Sequence, residues 1–128
     1  MPGFFIPDRL SGVRPPQLPE VVSQADADLV TGLNGQLVAL YGRCDGFLTD
    51  AGITIYEVDQ LVERNATYEV AQYAPGYVLF GDDSGGRGFL LQAASAESPV
   101  FSTDLGDLDP DDFDIAGPSL SAWVSSLR

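Results

Sequence analysis

The sequence predicts an α+β fold, with a central, mostly antiparallel sheet flanked by helices. Apolar residues recur at helical spacing near both ends of the chain, whereas the middle contains short apolar runs bounded by turn residues. These runs are joined by connections too short for the crossovers of parallel strands, which favours antiparallel pairing. Helices at the ends with strands between them are typical of helices packed on one or both faces of a sheet.

Two helices, or one helix broken at Gly32, are predicted in the first third of the chain. Pro19 suits the first turn of a helix, and Asn34 is placed to cap a second one. Gly42 and Asp45-Gly46 then predict a turn. The apolar stripes at helical spacing are Leu18, Val22, Ala25 and Leu29 in the first helix and Leu37, Leu40 and Tyr41 in the second.

Strands dominate the prediction for the middle of the chain. In one segment apolar and polar residues alternate and several side chains are β-branched, which favours a strand. Two other segments are continuous apolar runs, which is typical of buried strands. A short helix with Val58, Leu61 and Val62 on one face is predicted after the first strand and ends near Asn65. The predicted strands are residues 52–56, 77–80, 88–91 and 99–103.

A last helix is predicted after an acidic loop, residues 104–114. Pro118 opens this helix, and its core-facing stripe consists of Leu120, Trp123, Val124 and Leu127. We see no internal repeat and no domain boundary. The chain is therefore interpreted as an irregular N-terminal arm, residues 1–14, followed by a single domain, residues 15–128.

The charge of the chain is strongly unbalanced. Nineteen acidic residues and six arginines, with no lysine and no histidine, give 128 residues a net charge of −13. Such a surface repels nucleic acid, phosphorylated ligands and anionic membranes and attracts basic partners; alternatively, the acidity serves solubility. The absence of histidine excludes the triads, dyads and zinc sites that use it.

The start of the chain and its cysteine content favour an intracellular protein. Pro7 and Asp8 interrupt the first apolar patch, and no basic region precedes it, so we expect no signal peptide. No apolar run approaches the ~20 residues of a membrane span. The single cysteine, Cys44, excludes an intrachain disulfide. We therefore expect a soluble protein of the cytoplasm.

Residues 81–88, GDDSGGRG, allow two interpretations. A phosphate-binding glycine loop needs N–H groups converging on an anion at a helix N-terminus, often with a lysine. Here Asp82 and Asp83 would repel an anion, and a strand-like run follows. We favour a hairpin turn, in which glycines adopt positive φ and Asp and Ser side chains bond nearby N–H groups.

The acidic loop contains six aspartates between Asp104 and Asp114. A calcium-binding EF-hand loop needs glycine at its sixth position and glutamate at its twelfth, but counting from Asp104 these are Asp109 and Ile115. Weak binding of a divalent ion and a merely solvated loop are left open. We favour an acidic docking surface, where dense charge speeds association with a basic protein.

No active site is predicted. Asp82 and Asp83 would point apart in an extended chain, so they do not form a catalytic pair. Arg43 is placed to lower the pKa of the neighbouring Cys44 thiol, but a cysteine nucleophile would lack its usual histidine base. Cys44 and Trp123 are interpreted as core residues. We therefore expect no enzymatic activity, no cofactor and no metal centre.

Several short segments of the sequence are informative together, because their order and spacing are more specific than any one of them alone. The most distinctive runs from Tyr73 through Pro75-Gly76-Tyr77 to Gly86 and contains GDDSGG. The others are Pro15-Pro16, residues 25–29, 37–41 and 44–47, Ile55-Tyr56 with Leu61 and Asn65, residues 113–116 and residues 120–124. Over roughly residues 15–128 the series resembles the SUKH superfamily, or Smi/Knr-like domains. It departs from the family at Leu33-Asn34, where Leu-Pro is common.

The resemblance implies an α+β fold without catalytic residues and a role in binding. Many bacterial members are immunity proteins that bind and neutralise a toxin, often a nuclease or a deaminase, and a fungal branch regulates cell-wall synthesis through protein partners. For this chain it implies an immunity protein whose partner is a basic cognate toxin. The fold alone does not assign that role.

Two other functions are left open. One is a regulatory interaction module with no toxin partner, and the other is a metal-dependent hydrolase that uses the acidic loop. The charge of −13 adds a physical argument for the immunity protein, because a nuclease presents a basic groove that an acidic inhibitor can occupy. The candidate partner contacts, expected to be exposed, are Asp82, Asp83, Asp107, Asp109, Asp111 and Asp112.

Overall fold

A computed structural model describes Ile6, Leu10 and residues 12–127. Within these residues the chain forms an α+β architecture with a six-stranded antiparallel sheet, which confirms the predicted fold class. The helices are α1 (Pro19–Asp28), α2 (Gly35–Tyr41), α3 (Val58–Thr67), α4 (Val70–Tyr73) and α5 (Leu120–Ser126). The strands are β1 (Phe47–Leu48), β2 (Thr54–Ile55), β3 (Tyr77–Asp82), β4 (Arg87–Gln92), β5 (Val100–Asp104) and β6 (Asp114–Gly117), and a 3-10 turn spans Pro110–Asp112.

The sheet is a meander whose strands lie side by side in chain order from β1 to β6. Each neighbouring pair is antiparallel. The central strands β3 and β4 are buried on both faces, as their continuous apolar runs predict. Consecutive strand residues point to opposite faces. Phe80 therefore packs against Trp123 of α5, whereas Leu79 lies beside Gly88 and Leu105 on the other face.

The sequence does not predict the outer strands. β1 lies where only a turn is predicted, and β6 begins at Asp114, inside the predicted acidic loop. β1 has 2 residues, and β6 is exposed at all positions but its last. Strands this short or this exposed show no alternation of apolar and polar residues. Their pairing depends on the neighbouring strand, which lies elsewhere in the sequence.

One prediction for the first helix is wrong. Leu18 is the N-cap residue of α1 and is 67% exposed, so it does not belong to the buried stripe. The third helix ends at Thr67, two residues beyond Asn65, in agreement with the predicted end near that residue. The chain then turns at Glu69, which adopts the left-handed conformation with φ of 54°, and enters α4.

Side-chain caps define the starts of α2 and α5. The side chain of Asn34 accepts a hydrogen bond from the backbone N–H of Gln36 at 2.6 Å, which confirms the predicted cap. In the last helix the hydroxyl of Ser119 accepts from the backbone N–H of Ala122 at 3.1 Å. The helix therefore begins after Ser119, and the prediction that Pro118 opens it is wrong.

The predicted turn at Asp45-Gly46 connects separate parts of the fold. Asp45 is 4% exposed, and its Oδ1 accepts a hydrogen bond from the backbone N–H of Val58, the first residue of α3, at 2.9 Å. Its Oδ2 accepts from the side-chain amide of Gln17 at 3.1 Å. A carboxylate at a helix N-terminus accepts a hydrogen bond from a free N–H group and is attracted by the positive end of the helix dipole.

The predicted arm, residues 1–14, lies largely outside the described residues, as does Arg128. Within the described part, Leu10 is buried in the core. The backbone N–H of Arg14 donates to the carbonyl oxygen of Gly46 at 3.1 Å, and its own carbonyl accepts from the N–H of Asp45 at 3.0 Å. Arg14 is therefore bonded to the same turn that caps α3.

Asn65 of α3 completes the edge of β3. β2 ends at Ile55, opposite Gly81, so Leu79, which pairs with Leu90 of β4, has no partner on the β2 side. The side-chain amide of Asn65 donates to the carbonyl oxygen of Leu79 at 2.8 Å, and its Oδ1 accepts from the N–H of Leu79 at 2.9 Å. One side chain thus supplies the hydrogen bonds that an adjacent strand would otherwise make.

Asn65→Ala is expected to lower the free energy of unfolding by about 3 kcal/mol, because it leaves the buried N–H and C=O of Leu79 without partners. Urea denaturation measures this change. Asn65→Asp keeps an acceptor for the N–H but replaces the donor by a carboxylate oxygen that faces the carbonyl oxygens of Leu61 and Leu79, so a loss at least as large is expected at neutral pH. Thr67→Ala, at an exposed position of the same helix, is the control. Equal stability of the Asn65→Ala variant and this control would contradict the assigned role.

Candidate partner-binding site

The acidic loop is held against the sheet by two leucines. Leu108 is buried, and the half-buried side chain of Leu105 lies directly over Gly88 of β4, so closely that a Cβ at Gly88 would overlap it. The hydroxyl of Thr103 in β5 also donates to the carbonyl oxygen of Asp107 at 2.7 Å. The leucines point inward and the aspartates around them are exposed, so the loop presents its charges from an anchored backbone.

Three aspartates of the loop stabilise its turns with their own side chains. In each, Oδ1 accepts a hydrogen bond from the backbone N–H two residues further along, as short polar side chains do in turns. These pairs are Asp104 with Gly106 at 2.8 Å, Asp107 with Asp109 at 3.2 Å, and Asp109 with Asp111 at 3.0 Å. Asp109 thereby caps the 3-10 turn at Pro110–Asp112.

Four of the predicted contacts come together on this loop and are exposed. They are Asp107, Asp109, Asp111 and Asp112. A hydrogen bond to Asp107 and the charge of that carboxylate raise the pKa of Asp112, and the charges of Asp109 and Asp111 add to the increase. The carboxylates therefore repel one another in the free protein.

Asp112→Asn is expected to stabilise the folded chain at neutral pH. The pKa of Asp112 is raised in the folded chain, so the folded chain binds more protons than the unfolded chain while the pH lies between the usual aspartate value, about 3.9, and the raised value. The free energy of unfolding therefore falls as the pH rises through this range and stays lower above it. The amide removes that loss. The urea midpoint at about pH 7 should therefore increase, whereas at about pH 3 the two proteins should differ little.

The matched control for this prediction is Glu97→Gln, an exposed acid outside the loop that changes the net charge equally. It should not reproduce the pH-dependent difference. If Asp112→Asn lowers the midpoint at neutral pH, the carboxylates of the loop do not repel one another as described.

Asp82 and Asp83 lie elsewhere, in the β3–β4 hairpin, and are half-buried; the prediction that they are exposed is wrong. Asp82 accepts a hydrogen bond from the hydroxyl of Tyr56 at 2.6 Å, and Asp83 accepts from the backbone N–H groups of Gly85 at 2.8 Å and Arg87 at 3.0 Å. Both carboxylates are thus engaged inside the hairpin, and their role as partner contacts stays a prediction.

The hairpin itself agrees with the favoured interpretation of GDDSGGRG. Gly86 has φ of 96°, but Ser84 rather than Gly85 adopts the other left-handed conformation, with φ of 64°. The hydroxyl of Ser84 donates to the carbonyl oxygen of Gly52 at 2.7 Å, so the prediction that this side chain bonds a nearby N–H group is wrong. Hydrogen bonds from the N–H of Arg87 and then of Gly85 lower the pKa of Asp83.

Asp114, the last aspartate of the predicted loop, belongs to β6 and forms an ion pair with Arg87 of β4. The Nε–H of Arg87 also donates to the hydroxyl of Ser102 in β5 at 3.3 Å. Arg87 therefore reaches across β5 and uses the carboxylate of Asp114 within the sheet. Asp114 is therefore paired across the sheet, Asp104 is exposed at the end of β5, and the four predicted contacts lie between these two in the chain.

A groove beside the acidic loop contains two residues that are not among the predicted contacts. Tyr68, next to α3, and Tyr73, at the end of α4, line a depression of about 560 Å³ together with Asp107 and Asp109. Tyr73 is 55% exposed. The only signal in the sequence is that two tyrosines follow a predicted helix. Their approach to the acidic loop depends on the packing of α4.

The expected effect of Arg43 on the single cysteine is wrong. Cys44 lies in the core, and burial raises the pKa of its thiol. The structure confirms that Cys44 and Trp123 are core residues. Within the described residues, no three acidic or cysteine side chains lie close enough together to hold a metal ion. Among the helices of the described residues, none has the length and the apolar composition that crossing a membrane requires.

No protein-family model matches this sequence, and no curated protein matches it. The resemblance to the SUKH superfamily therefore rests on the sequence segments described above.

Proposed function

We propose that this chain is a non-enzymatic immunity protein of the cytoplasm, which binds and neutralises a cognate bacterial toxin by stoichiometric contact. The toxin has a basic surface, as nucleases and deaminases that bind nucleic acid have. The acidic loop occupies that surface and blocks the active site or the substrate groove. The four contacts are Asp107, Asp109, Asp111 and Asp112.

The observation that carries this proposal is the cluster of four exposed carboxylates on an anchored loop. Leu105 and Leu108 hold its backbone against the sheet, so little conformational entropy is lost when a partner binds. The mutual repulsion that raises the pKa of Asp112 is relieved when a cationic side chain approaches. A solvated loop with no partner gains nothing from this arrangement.

The net charge of −13 supports the same function at longer range. Opposite charges on two proteins accelerate their encounter and orient them before contact. Rapid capture matters for an inhibitor that must act before a toxin reaches its substrate. The resemblance to the SUKH superfamily supports an immunity protein on separate grounds, because many bacterial members have this role.

Co-expression with the product of the adjacent open reading frame tests the proposal. We expect that product to be toxic when it is expressed alone, harmless when it is expressed with this chain, and recovered with it as a 1:1 complex. If the neighbouring product is harmless alone and does not co-purify, the chain does not protect against it. A protein partner recovered without any toxicity would instead favour the regulatory interaction module.

The third hypothesis, a metal-dependent hydrolase, predicts that the acidic loop binds a divalent ion. Calorimetric titration with Ca²⁺, Mg²⁺ and Mn²⁺ measures this directly. Heat of binding that disappears in a variant with amides at Asp107 and Asp112 would favour the hydrolase over the immunity protein.

A further inference from the structure

A second surface lies on the side of the fold where α1 packs against α3. A groove of about 450 Å³ runs between these helices, and its floor contains Val21, Ala25, Val58 and Val62. A second depression of about 280 Å³ shares Val62 and Asp28 with the first, so the two lie side by side. We call this surface the α1–α3 groove.

The rim of the α1–α3 groove carries one sign of charge. The charged residues that line its two parts are Glu20, Asp28, Asp59 and Glu69. Within the described residues, no arginine contributes to either part. An apolar floor with an acidic rim is complementary to a partner that presents an apolar face flanked by cations.

α1 packs on the core through one face, where the partly buried Val21 and Val22 also lie. Ala25 is the buried residue of the helix, and Leu29 is buried directly after it. Val30, which lines the second depression, is 86% exposed. A large apolar side chain at this exposure, beside an apolar floor, adds to the area that a partner can bury.

From these features we infer that the α1–α3 groove is a docking site for an amphipathic helix of a partner protein, with lysine or arginine beside its apolar face. The two helices that flank the groove, α1 and α3, have 10 residues each. At about 1.5 Å per residue, this length accommodates an occupant of roughly 10–14 residues. The apolar face fills the groove with anchors at i, i+3, i+4 and i+7, and its cations meet the acidic rim. The inference is independent of whether the partner is a toxin.

A model peptide tests this inference without a known partner. The probe is a helical peptide of leucine, lysine and alanine, about 14 residues long, with leucines at i, i+3, i+4 and i+7. It is titrated into the ¹⁵N-labelled full chain. We expect chemical-shift changes along α1 and α3 and much weaker changes with a scrambled peptide of the same composition and charge.

Two substitutions in the groove should weaken binding without harming the fold. Val30→Ser removes an exposed apolar side chain. Asp28→Asn removes rim charge at the C-terminal end of α1, where a carboxylate opposes the helix dipole. Together they should weaken peptide binding about tenfold, because one removes apolar contact area and the other removes a charge that attracts the lysines. The matched control combines Val38→Ser and Glu97→Gln, exposed residues outside the groove.

Several outcomes would overturn the inference. Equal binding of the scrambled peptide, or shifts confined to the acidic loop, would mean that charge alone attracts the probe. Concentration-dependent shifts along α1 and α3 without any peptide would identify a second copy of this chain as the occupant. A variant with amides at the four aspartates of the acidic loop should still bind the peptide, which separates this result from failure of the proposed function.

Discussion

Gly46→Ala is expected to leave the chain largely unfolded. Gly46 has φ of +81°, and a Cβ there would lie 2.8 Å from the carbonyl oxygen of Tyr56 and closer still to that of Ile55. Both contacts are with backbone, so no side chain can move aside. Because the turn also positions Asp45 at the start of α3, the expected loss is about 5 kcal/mol or more, which equals the whole stability of the less stable natural domains.

Gly76→Ala is the matched control for this substitution. Gly76 has a similar φ of +88°, but a Cβ there would have no atom within 4 Å. It therefore isolates the conformational cost of alanine in the left-handed region, which is about 1–2 kcal/mol. Urea denaturation and circular dichroism compare the two variants. If both lose the same stability, the close approach of Gly46 to β2 does not account for the effect.

Neutralising the acidic loop is expected to slow association with a basic partner about tenfold or more, while dissociation changes less. Asparagine retains the oxygen that accepts each backbone hydrogen bond in the loop, so the turns should persist. Stopped-flow association at low salt, with the protein recovered by co-expression, measures the rate. The substitutions, each to asparagine, are at Asp107, Asp109, Asp111 and Asp112.

A second variant with the same net charge is the control for this experiment. It places amides at four exposed acids outside the loop: Asp26, Asp50, Glu63 and Glu97. Slower association only in the loop variant would locate the binding surface. Equal effects in both variants would mean that total charge, not the loop, governs the encounter.

Ionic strength provides a further test of the same mechanism. The Debye length falls from about 10 Å at 0.1 M salt to about 3 Å at 1 M, so long-range attraction should weaken across this range. We expect the association rate of the unmodified chain to fall several-fold and that of the loop variant to fall less. An association rate that does not depend on salt would mean that the acidity serves solubility.

Features with a local cause are predicted well from the sequence. The stripe Leu37, Leu40 and Tyr41 has helical spacing, and Asn34 caps its helix from two residues before Gln36. The central strands are long enough to bury continuous apolar runs, and the hairpin between them contains its own turn residues. In each case the interacting groups are close in sequence, so the spacing of residue types is sufficient.

Features that depend on distant partners are not predicted. Nothing near Asn65 in the sequence indicates that its amide completes the edge of β3, because Leu79 is 14 residues away. The same holds for Asp82, whose carboxylate accepts a hydrogen bond from the hydroxyl of Tyr56, 26 residues away. The outer strands β1 and β6 likewise form because they pair with β2 and β5, not because of their own residue pattern.

By itself, the sequence determines the fold class, the charge of −13 and the exclusion of histidine chemistry. The tertiary structure alone decides which acids form a surface. It separates Asp82 and Asp83 from the four exposed carboxylates of the acidic loop and assembles the rim of the α1–α3 groove from two helices. The physical reason is that composition sums charge along the chain, whereas binding depends on which charges remain solvated and adjacent after apolar burial has packed the backbone.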